Sequence, residues 1–222
     1  MSKESGTDYF ARIVAVFGLV LACASIVVPY MKDKSDNQEA VNITAKPETS
    51  GGILRLSDSV EESRAIQIPW ILTISNTGKV TLSIISYTVQ KIEKNGGISY
   101  FSGLDGGLTD YEHRPIAIPF TLNPGESKSF RLYLGFLPEE NIDEALRSLY
   151  NKTGPVEYQS AFNTLAKQSL SFYGGEVTYQ EFDDGNTMIS IDNFEKDPVY
   201  QVSFGTGRGS YFAILTSTNP AY

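Results

Sequence analysis

The stretch Ile66-Gln67-Ile68-Pro69-Trp70-Ile71-Leu72-Thr73-Ile74-Ser75-Asn76 has the residue alternation of a β-strand. Every second side chain in it is large and apolar, namely Ile66, Ile68, Trp70, Leu72 and Ile74. Successive side chains of a strand point to opposite faces, so this spacing predicts a strand with one strongly apolar face. Proline has no backbone donor, and Pro69 therefore predicts an edge position or a bulge in this strand.

The same period of two continues after a turn at residues 76–79. The next strand carries two apolar sets of opposite parity, which are Val80, Leu82 and Ile84, then Ile85, Tyr87 and Val89. A bulge near Ile84-Ile85 would return both sets to one core. Further strands are predicted at 116–122 and 130–136, joined by the turn Asn123-Pro124-Gly125-Glu126. This part of the chain is predicted to be mainly β.

Beyond residue 136 the apolar spacing becomes helical. One apolar stripe is formed by Ile142, Ala145, Leu146, Leu149 and Tyr150, and a second group by Phe162, Leu165 and Ala166. Pro138 can open the first helix, and Gly154-Pro155 ends it. We therefore expect a two-helix insertion at about 138–169 that packs against the protein's own sheet. A docking surface for a partner helix is the alternative.

Strand patterns resume after the insertion. They lie at 171–173, 177–182, 188–192, 199–204 and 211–216. These strands would complete a sandwich that the first half leaves open, so we predict one domain over 53–222 rather than two. The glycine-rich loop 205–209 leads into a strand and not into a helix, which favours a hairpin tip over a phosphate-binding loop.

Two landmarks allow a resemblance to be named. They are the strand end Ile74-Ser75-Asn76-Thr77-Gly78 and the segment Leu122-Asn123-Pro124-Gly125-Glu126-Ser127 before the next strand. Both resemble features of the immunoglobulin-like β-sandwich modules of bacterial surface proteins, over about residues 53–136. The resemblance implies a fold and a role in adhesion or scaffolding, and it brings no catalytic residues.

The N-terminal part of the chain is predicted to anchor it in a membrane. After a short tail, 1–12, residues 13–31 are predicted to form a transmembrane signal-anchor helix, because the apolar run from Ile13 to Val28 carries no charge. Extended to the range 9–31, the helix would rise about 34 Å, enough to cross a hydrocarbon core. The expected membrane-contacting residues are Arg12, Ile13, Phe17, Leu21, Val28 and Tyr30. Residues 32–52 are predicted to be a linker.

Two alternatives remain open for this segment. The triplet Ala22-Cys23-Ala24 has the small-x-small form of a signal-peptidase site, and Cys23 could carry a lipid. Retention is favoured because Ser25-Ile26-Val27-Val28 continues the apolar run. Flanking Lys and Arg residues are nearly balanced, so the orientation rests on the tendency of short N-terminal tails to stay inside. We expect a single-pass protein whose C-terminal domain is extracytoplasmic, either periplasmic or at the cell surface.

Composition excludes several classes of function. The 222 residues include 26 acidic and 18 basic side chains, and a net charge of −8 argues against nucleic acid as a partner. With one cysteine and one histidine, an internal disulfide and a cysteine-pair zinc site are both impossible. His113 lies in a polar loop without an evident partner and is predicted to be an ordinary surface side chain. We expect no enzyme, no cofactor and no catalytic residue.

A local acidic cluster provides the weak candidates for a metal site. It consists of Asp183, Asp184, Asp192, Glu195 and Asp197. Asp183, Asp184 and Asp192 could hold calcium, which takes oxygen ligands, but the regular spacing of a calcium loop is missing. The cluster is therefore expected to be solvated. A hydrolase that uses two of these carboxylates is a distant alternative.

These observations predict a membrane-anchored, non-enzymatic protein-interaction or scaffolding module. Its expected partners are the lipid bilayer and another protein. The alternative is an extracytoplasmic domain that binds glycans or a small ligand, using some of its 13 tyrosines as stacking platforms. The single tryptophan, Trp70, is predicted to point inward, which weakens that alternative.

Overall fold

The structure is a computed structural model that describes residues 5–56, 64–183, 185–192 and 196–218. In the first helix it describes the side chains of residues 16–32. The helices are α1 (Ser5–Asp36), α2 (Glu140–Thr153) and α3 (Tyr158–Ala166). The strands are β1 (Val41–Pro47), β2 (Arg55–Leu56), β3 (Ile66–Asn76), β4 (Leu82–Ile92), β5 (Ile98–Ser99), β6 (Asp105–Thr109), β7 (Phe120–Leu122), β8 (Ser127–Phe136), β9 (Glu176–Glu181), β10 (Thr187–Asp192), β11 (Val199–Thr206) and β12 (Tyr211–Thr216). The prediction of a mainly β chain is confirmed.

The first sheet is antiparallel, with the strand order β1-β3-β8-β6 and with β2 paired to β3. Strand β3 is therefore central, and its register with β8 is unbroken, so the prediction that Pro69 marks an edge or a bulge is wrong. The Pro69 carbonyl accepts a hydrogen bond from the Glu48 N–H at 2.8 Å. The N–H and C=O of one strand residue face the same neighbouring strand. The donor that Pro69 lacks would therefore point toward residue 48, just beyond the end of β1, where no ladder hydrogen bond is lost.

The second sheet is also antiparallel, with the order β12-β11-β4-β5 and with β7 paired to β4. Opposite β4, Gly205 pairs with Ser86 while Thr206 pairs with Ile84, so Ile85 is the extra residue of a bulge. The predicted bulge near Ile84-Ile85 is confirmed. Ile84 is fully buried, but Ile85 is 50% exposed and does not return to the core as predicted.

The two sheets face each other across one hydrophobic core. The Trp70 ring on β3 meets the Tyr200 ring on β11 edge to face, with centroids 6.1 Å apart. The Tyr200 hydroxyl donates a hydrogen bond to the Gly135 carbonyl of β8 at 3.0 Å. Trp70 is fully buried, as the sequence predicts. Aromatic rings of this size supply much of the apolar area that holds two sheets together.

Helices α2 and α3 lie at the predicted insertion and close the same core. Ile142 and Leu146 of α2, with Leu165 of α3, are fully buried within the core cluster that the sheets share. The packing prediction for this stripe is confirmed except at Tyr150, which is 43% exposed. The apolar stripes of both helices are thus used within the chain.

Two segments differ from the predicted layout. The range 32–52, predicted as a linker, contains the end of α1 and the whole of β1, which pairs with β3 along its full length. Strands β9 and β10 were predicted to complete the sandwich, but they form a separate two-stranded sheet. Backbone pairing accounts for the first difference, since the weak alternation of Val41–Pro47 becomes a strand once β3 lies beside it.

Helix α1 contains the predicted anchor and continues to Asp36, with Pro29 inside it. Within the described part of the chain, no helix combines the length and the apolar character needed to cross a bilayer.

Candidate functional site

The best-organised polar cluster lies on the outer face of the first sheet, where β8 turns Arg131 and Tyr133 away from the core. Because strand side chains alternate, these two residues lie between core residues such as Leu132 and Leu134. The Arg131 guanidinium binds the Glu48 carboxylate with two hydrogen bonds, from Nε to Oε2 and from Nη2 to Oε1, the latter at 2.7 Å. The Arg131 and Glu48 side chains are only 7% and 9% exposed.

The remaining guanidinium nitrogen of Arg131 faces the only histidine of the chain. Nη1 lies 3.2 Å from Nε2 and 3.3 Å from Nδ1 of His113, and the Tyr133 hydroxyl lies 3.3 Å from Nδ1. A guanidinium can only donate, so the imidazole nitrogen facing it accepts. His113 therefore has partners, contrary to the sequence-based prediction. Its backbone φ of 64° is held by a tight loop in which the His113 N–H bonds the Asp110 carbonyl at 3.1 Å.

A second arginine completes the cluster. The Arg55 guanidinium stacks 3.5 Å from the centre of the Tyr133 ring, and its Nη1 donates to the Gly106 carbonyl at 2.8 Å. The hydrogen bonds to Glu48 raise the pKa of Arg131 further above its ordinary value, although burial opposes this shift. The cluster thus joins the end of β1, strand β2, the loop after β6 and strand β8. The polar side chains of the cluster bond mainly to one another. We call the Glu48–Arg131 ion pair at its centre the clasp, because it links two segments of the chain.

A second polar group lies beneath the insertion, at the start of β11. Burial raises the pKa of Asp197, and the Thr218 hydroxyl donates a hydrogen bond to its carboxylate at 2.5 Å. Burial also raises the pKa of Tyr158 to about 12, with the Asp197 charge adding to the shift, and it raises those of Tyr173 and Tyr200 well above the usual range. These phenols stay protonated at neutral pH, and their rings pack in or against the hydrophobic core.

The predicted calcium ligands do not come together. Asp183 lies in the turn of the β9–β10 hairpin, whereas Asp192 ends β10 at the other end of that hairpin. Five residue steps of strand separate Thr187 from Asp192, or about 17 Å at ~3.4 Å per residue. Asp184 and Glu195 lie outside the described residues. Among the side chains that the structure describes, no three His, Cys, Asp or Glu residues are grouped so as to hold a metal ion.

The hairpin itself forms a surface that sequence analysis missed. On one of its faces Val177 and Tyr179 pair with Ile191 and Ile189, and all four are buried or half-buried on the side of α3. On the other face the paired residues are polar or exposed, and Glu176 stands directly opposite Asp192. The sequence does contain a signal for this surface, since the segment between residues 168 and 195 carries acidic residues but no Lys, Arg or His.

Two further surfaces bear on ligand binding. A cleft of about 390 Å³ lies between α2 and the end of α3, lined by side chains that include Glu144, Lys152 and Leu170. Among the described residues that follow α1, the most exposed tyrosines are Tyr100 at 71% and Tyr211 at 80%. They lie by β5 and on β12, the opposite edges of one sheet. Three strand spacings, about 14 Å, separate those edges, so the two rings do not form one stacking platform.

The predicted anchor residues lie along α1. Phe17, Leu21, Val28 and Tyr30 are 66%, 67%, 61% and 69% exposed, and Cys23 is exposed as well. Arg12 and Ile13 belong to the helix, but their side chains lie outside those described. Comparison of the chain with models of known protein families, with curated proteins and with solved structures finds no match.

Proposed function

We propose that the protein is a membrane-anchored, non-enzymatic interaction module, in which α1 holds an immunoglobulin-like sandwich at the outer side of a membrane. The sandwich is the part that meets another protein. The two partners of the chain are then a lipid bilayer and another protein.

The observation that carries the proposal is the exposure of apolar side chains along α1. Between Val16 and Met31 the large apolar residues are 50–72% exposed, and the stretch from Ile13 to Met31 has no charged residue. Apolar side chains on every side of a helix need an apolar surrounding. At ~1.5 Å per residue, these 19 residues would rise about 28 Å, close to the thickness of a hydrocarbon core.

A binding role is supported by the way polar groups are used in the body. The Arg131–Glu48 clasp is closed by its own partners, and burial moves the pKa values of the core tyrosines further from neutral pH. Catalytic groups, in contrast, are aimed at a substrate space and have pKa values matched to the operating pH. What the body offers outward is a strand edge, a charged hairpin and a cleft, which are features of recognition surfaces.

Membrane fractionation of the full chain tests the anchor. The wild-type chain should sediment with membranes, resist carbonate extraction and dissolve in detergent. The double variant Phe17→Lys/Leu21→Lys should move to the supernatant, since each charge at the centre of a span costs about 2.5–3.5 kcal/mol. The matched control is Ile98→Lys, which changes an exposed apolar residue of the body (60% exposed) and should leave fractionation unchanged.

An uncleaved wild-type chain that stays in the supernatant without detergent would refute the proposed anchor. The interaction role is tested on the same membranes by chemical crosslinking and by a glycan array. Capture of a defined protein partner with no glycan bound supports the proposal, whereas saturable glycan binding without a protein partner contradicts it.

A further inference from the structure

The β9–β10 hairpin leaves one strand edge open. Strand β10 pairs with β9 on one side, and no other strand in the described part of the chain pairs with it. An unpaired edge presents a row of backbone N–H and C=O groups, which proteins usually block with proline, lysine or a bulge. The β10 sequence Thr-Met-Ile-Ser-Ile-Asp contains neither proline nor lysine, and its register with β9 is unbroken.

The acidic charge of the hairpin favours an added strand that carries cationic side chains. Residues 168–195 contain six acidic and no basic side chains, namely Glu176, Glu181, Asp183, Asp184, Asp192 and Glu195. Like charges directly opposite each other destabilise a sheet, yet Glu176 faces Asp192 across the ladder. Among the described residues, neither carboxylate forms an ion pair. A cationic side chain on an added strand would relieve this repulsion.

The other face of the hairpin selects apolar residues. Ile189 and Ile191 on β10 are half-buried beside the α3 side of the hairpin. A third strand would continue both faces, since strand side chains alternate. Its apolar side chains would lie next to these isoleucines, and its polar side chains would lie next to Asp192. A two-stranded sheet is also marginal by itself in water and gains stability from a third strand.

We propose that the open edge of β10 binds, by strand addition, an extended segment of another protein in which Lys or Arg alternates with apolar residues. This inference rests on the proposed function and names the class of its protein partner. Main-chain hydrogen bonds supply the affinity in such complexes, and alternate side chains supply the specificity. A second copy of this chain is disfavoured as the occupant because its β10 supplies no Lys or Arg to face the acidic pair.

Fluorescence polarisation with labelled peptides tests the proposal on the full chain in detergent micelles. The probe is an eight-residue peptide that alternates valine and lysine, and its charge control alternates valine and glutamate. Two further peptides keep every side chain and charge but are N-methylated, one on each valine and one on each lysine. Since N–H groups also alternate between strand edges, one methylated peptide should lose at least tenfold in affinity and the other should bind nearly as the parent.

Equal binding of both methylated peptides would refute strand addition and leave only charge attraction. The double variant Glu176→Gln/Asp192→Asn should weaken the parent peptide about fivefold. Glu112→Gln in the loop after β6, which removes a 71% exposed carboxylate elsewhere, should not change its affinity. An equal loss in the Glu112→Gln control would contradict the proposal. Calorimetric calcium binding that disappears in the double variant would instead identify the carboxylate pair as a cation site and overturn it.

The outcomes separate this inference from the proposed function. A chain that sediments with membranes and crosslinks to a partner, but does not bind the peptide, refutes only the β10 edge. A chain that binds the peptide but remains in the supernatant refutes only the anchor.

Discussion

Removing one partner of the Glu48–Arg131 pair should strongly destabilise the fold. Replacing Glu48 by alanine removes the anionic partner of the Arg131 guanidinium and leaves it with His113, Tyr133 and the Tyr111 ring. Both side chains of the pair are less than a tenth exposed, so water cannot readily take the place of the carboxylate. The arginine would stay charged, because an arginine side chain is not deprotonated in proteins.

The expected loss follows from this burial. Breaking a buried ion pair by deleting one partner costs about 3–5 kcal/mol, because an uncompensated charge is left behind. Replacing both partners by apolar residues of similar size removes the charges together and is often close to neutral. We therefore expect Glu48→Ala and Arg131→Met each to cost about 3–5 kcal/mol, and the double variant Glu48→Leu/Arg131→Met to recover most of that loss.

Urea unfolding of the full chain in mild detergent, followed by fluorescence, measures these differences. Trp70 is the only tryptophan and is fully buried, so its emission reports the body alone. An exposed ion pair would contribute at most about 1 kcal/mol. A loss below that value for Glu48→Ala, or a double variant as unstable as the single variants, would refute the interpretation of this cluster as a buried clasp.

Four other substitutions test the core and the pH dependence of stability, each measured by the same unfolding assay. Ile84→Ala should cost about 2–5 kcal/mol because Ile84 is fully buried, whereas Ile85→Ala at the exposed bulge residue should change stability by less than about 0.5 kcal/mol; equal losses would contradict the bulge. Burial raises the pKa of Asp197, so its contribution to stability is complete below its unfolded pKa and is lost as pH rises through the folded pKa. Asp197→Asn should therefore stabilise the chain at pH 7 and not at pH 3, and an unchanged pH profile would contradict this assignment. The Asn123 N–H holds the pKa of Glu126 below its usual value, so the stabilisation is present above the unfolded pKa and is lost as pH falls through the folded pKa. Glu126→Gln should flatten the acid limb of the stability profile, and a limb as steep as that of the wild type would show that Glu126 does not contribute to it.

Local patterns were enough to predict the elements that carry strong periodicity. The alternation of residues 66–76 and 130–136 corresponds to β3 and to most of β8, and the parity change at Ile84-Ile85 located the bulge. The 3.6-residue spacing located α2 and α3. In each case the side chains that repeat are those that meet the core, so the period itself records the burial.

Features that depend on distant partners could not be predicted in the same way. Strand β1 has few large apolar residues, and its pairing is decided by the exposed edge of β3. The clasp joins Glu48 to Arg131 across 83 positions of sequence, and no local pattern marks either residue as buried. Strands β9 and β10 were found as strands, but their separation from the main sheets follows from their packing beside α3. Pairing between segments, not propensity, decides such positions.

The proposed anchor and the proposed docking edge lie at opposite ends of β11. Just after α1, the Glu39 carboxylate accepts a hydrogen bond from the Thr206 hydroxyl at 2.6 Å, and the Asn37 carbonyl accepts one from Arg208 at 3.2 Å. The end of α1 is therefore held against the β11–β12 turn. From Thr206 back to Val199 the strand spans seven residue steps, about 24 Å at ~3.4 Å per residue. The β9–β10 hairpin joins the chain before Val199, at that far end. With α1 in a bilayer, the β9–β10 hairpin would join β11 at the end remote from the lipid surface, where an extended segment of another protein can reach it without crossing the headgroups.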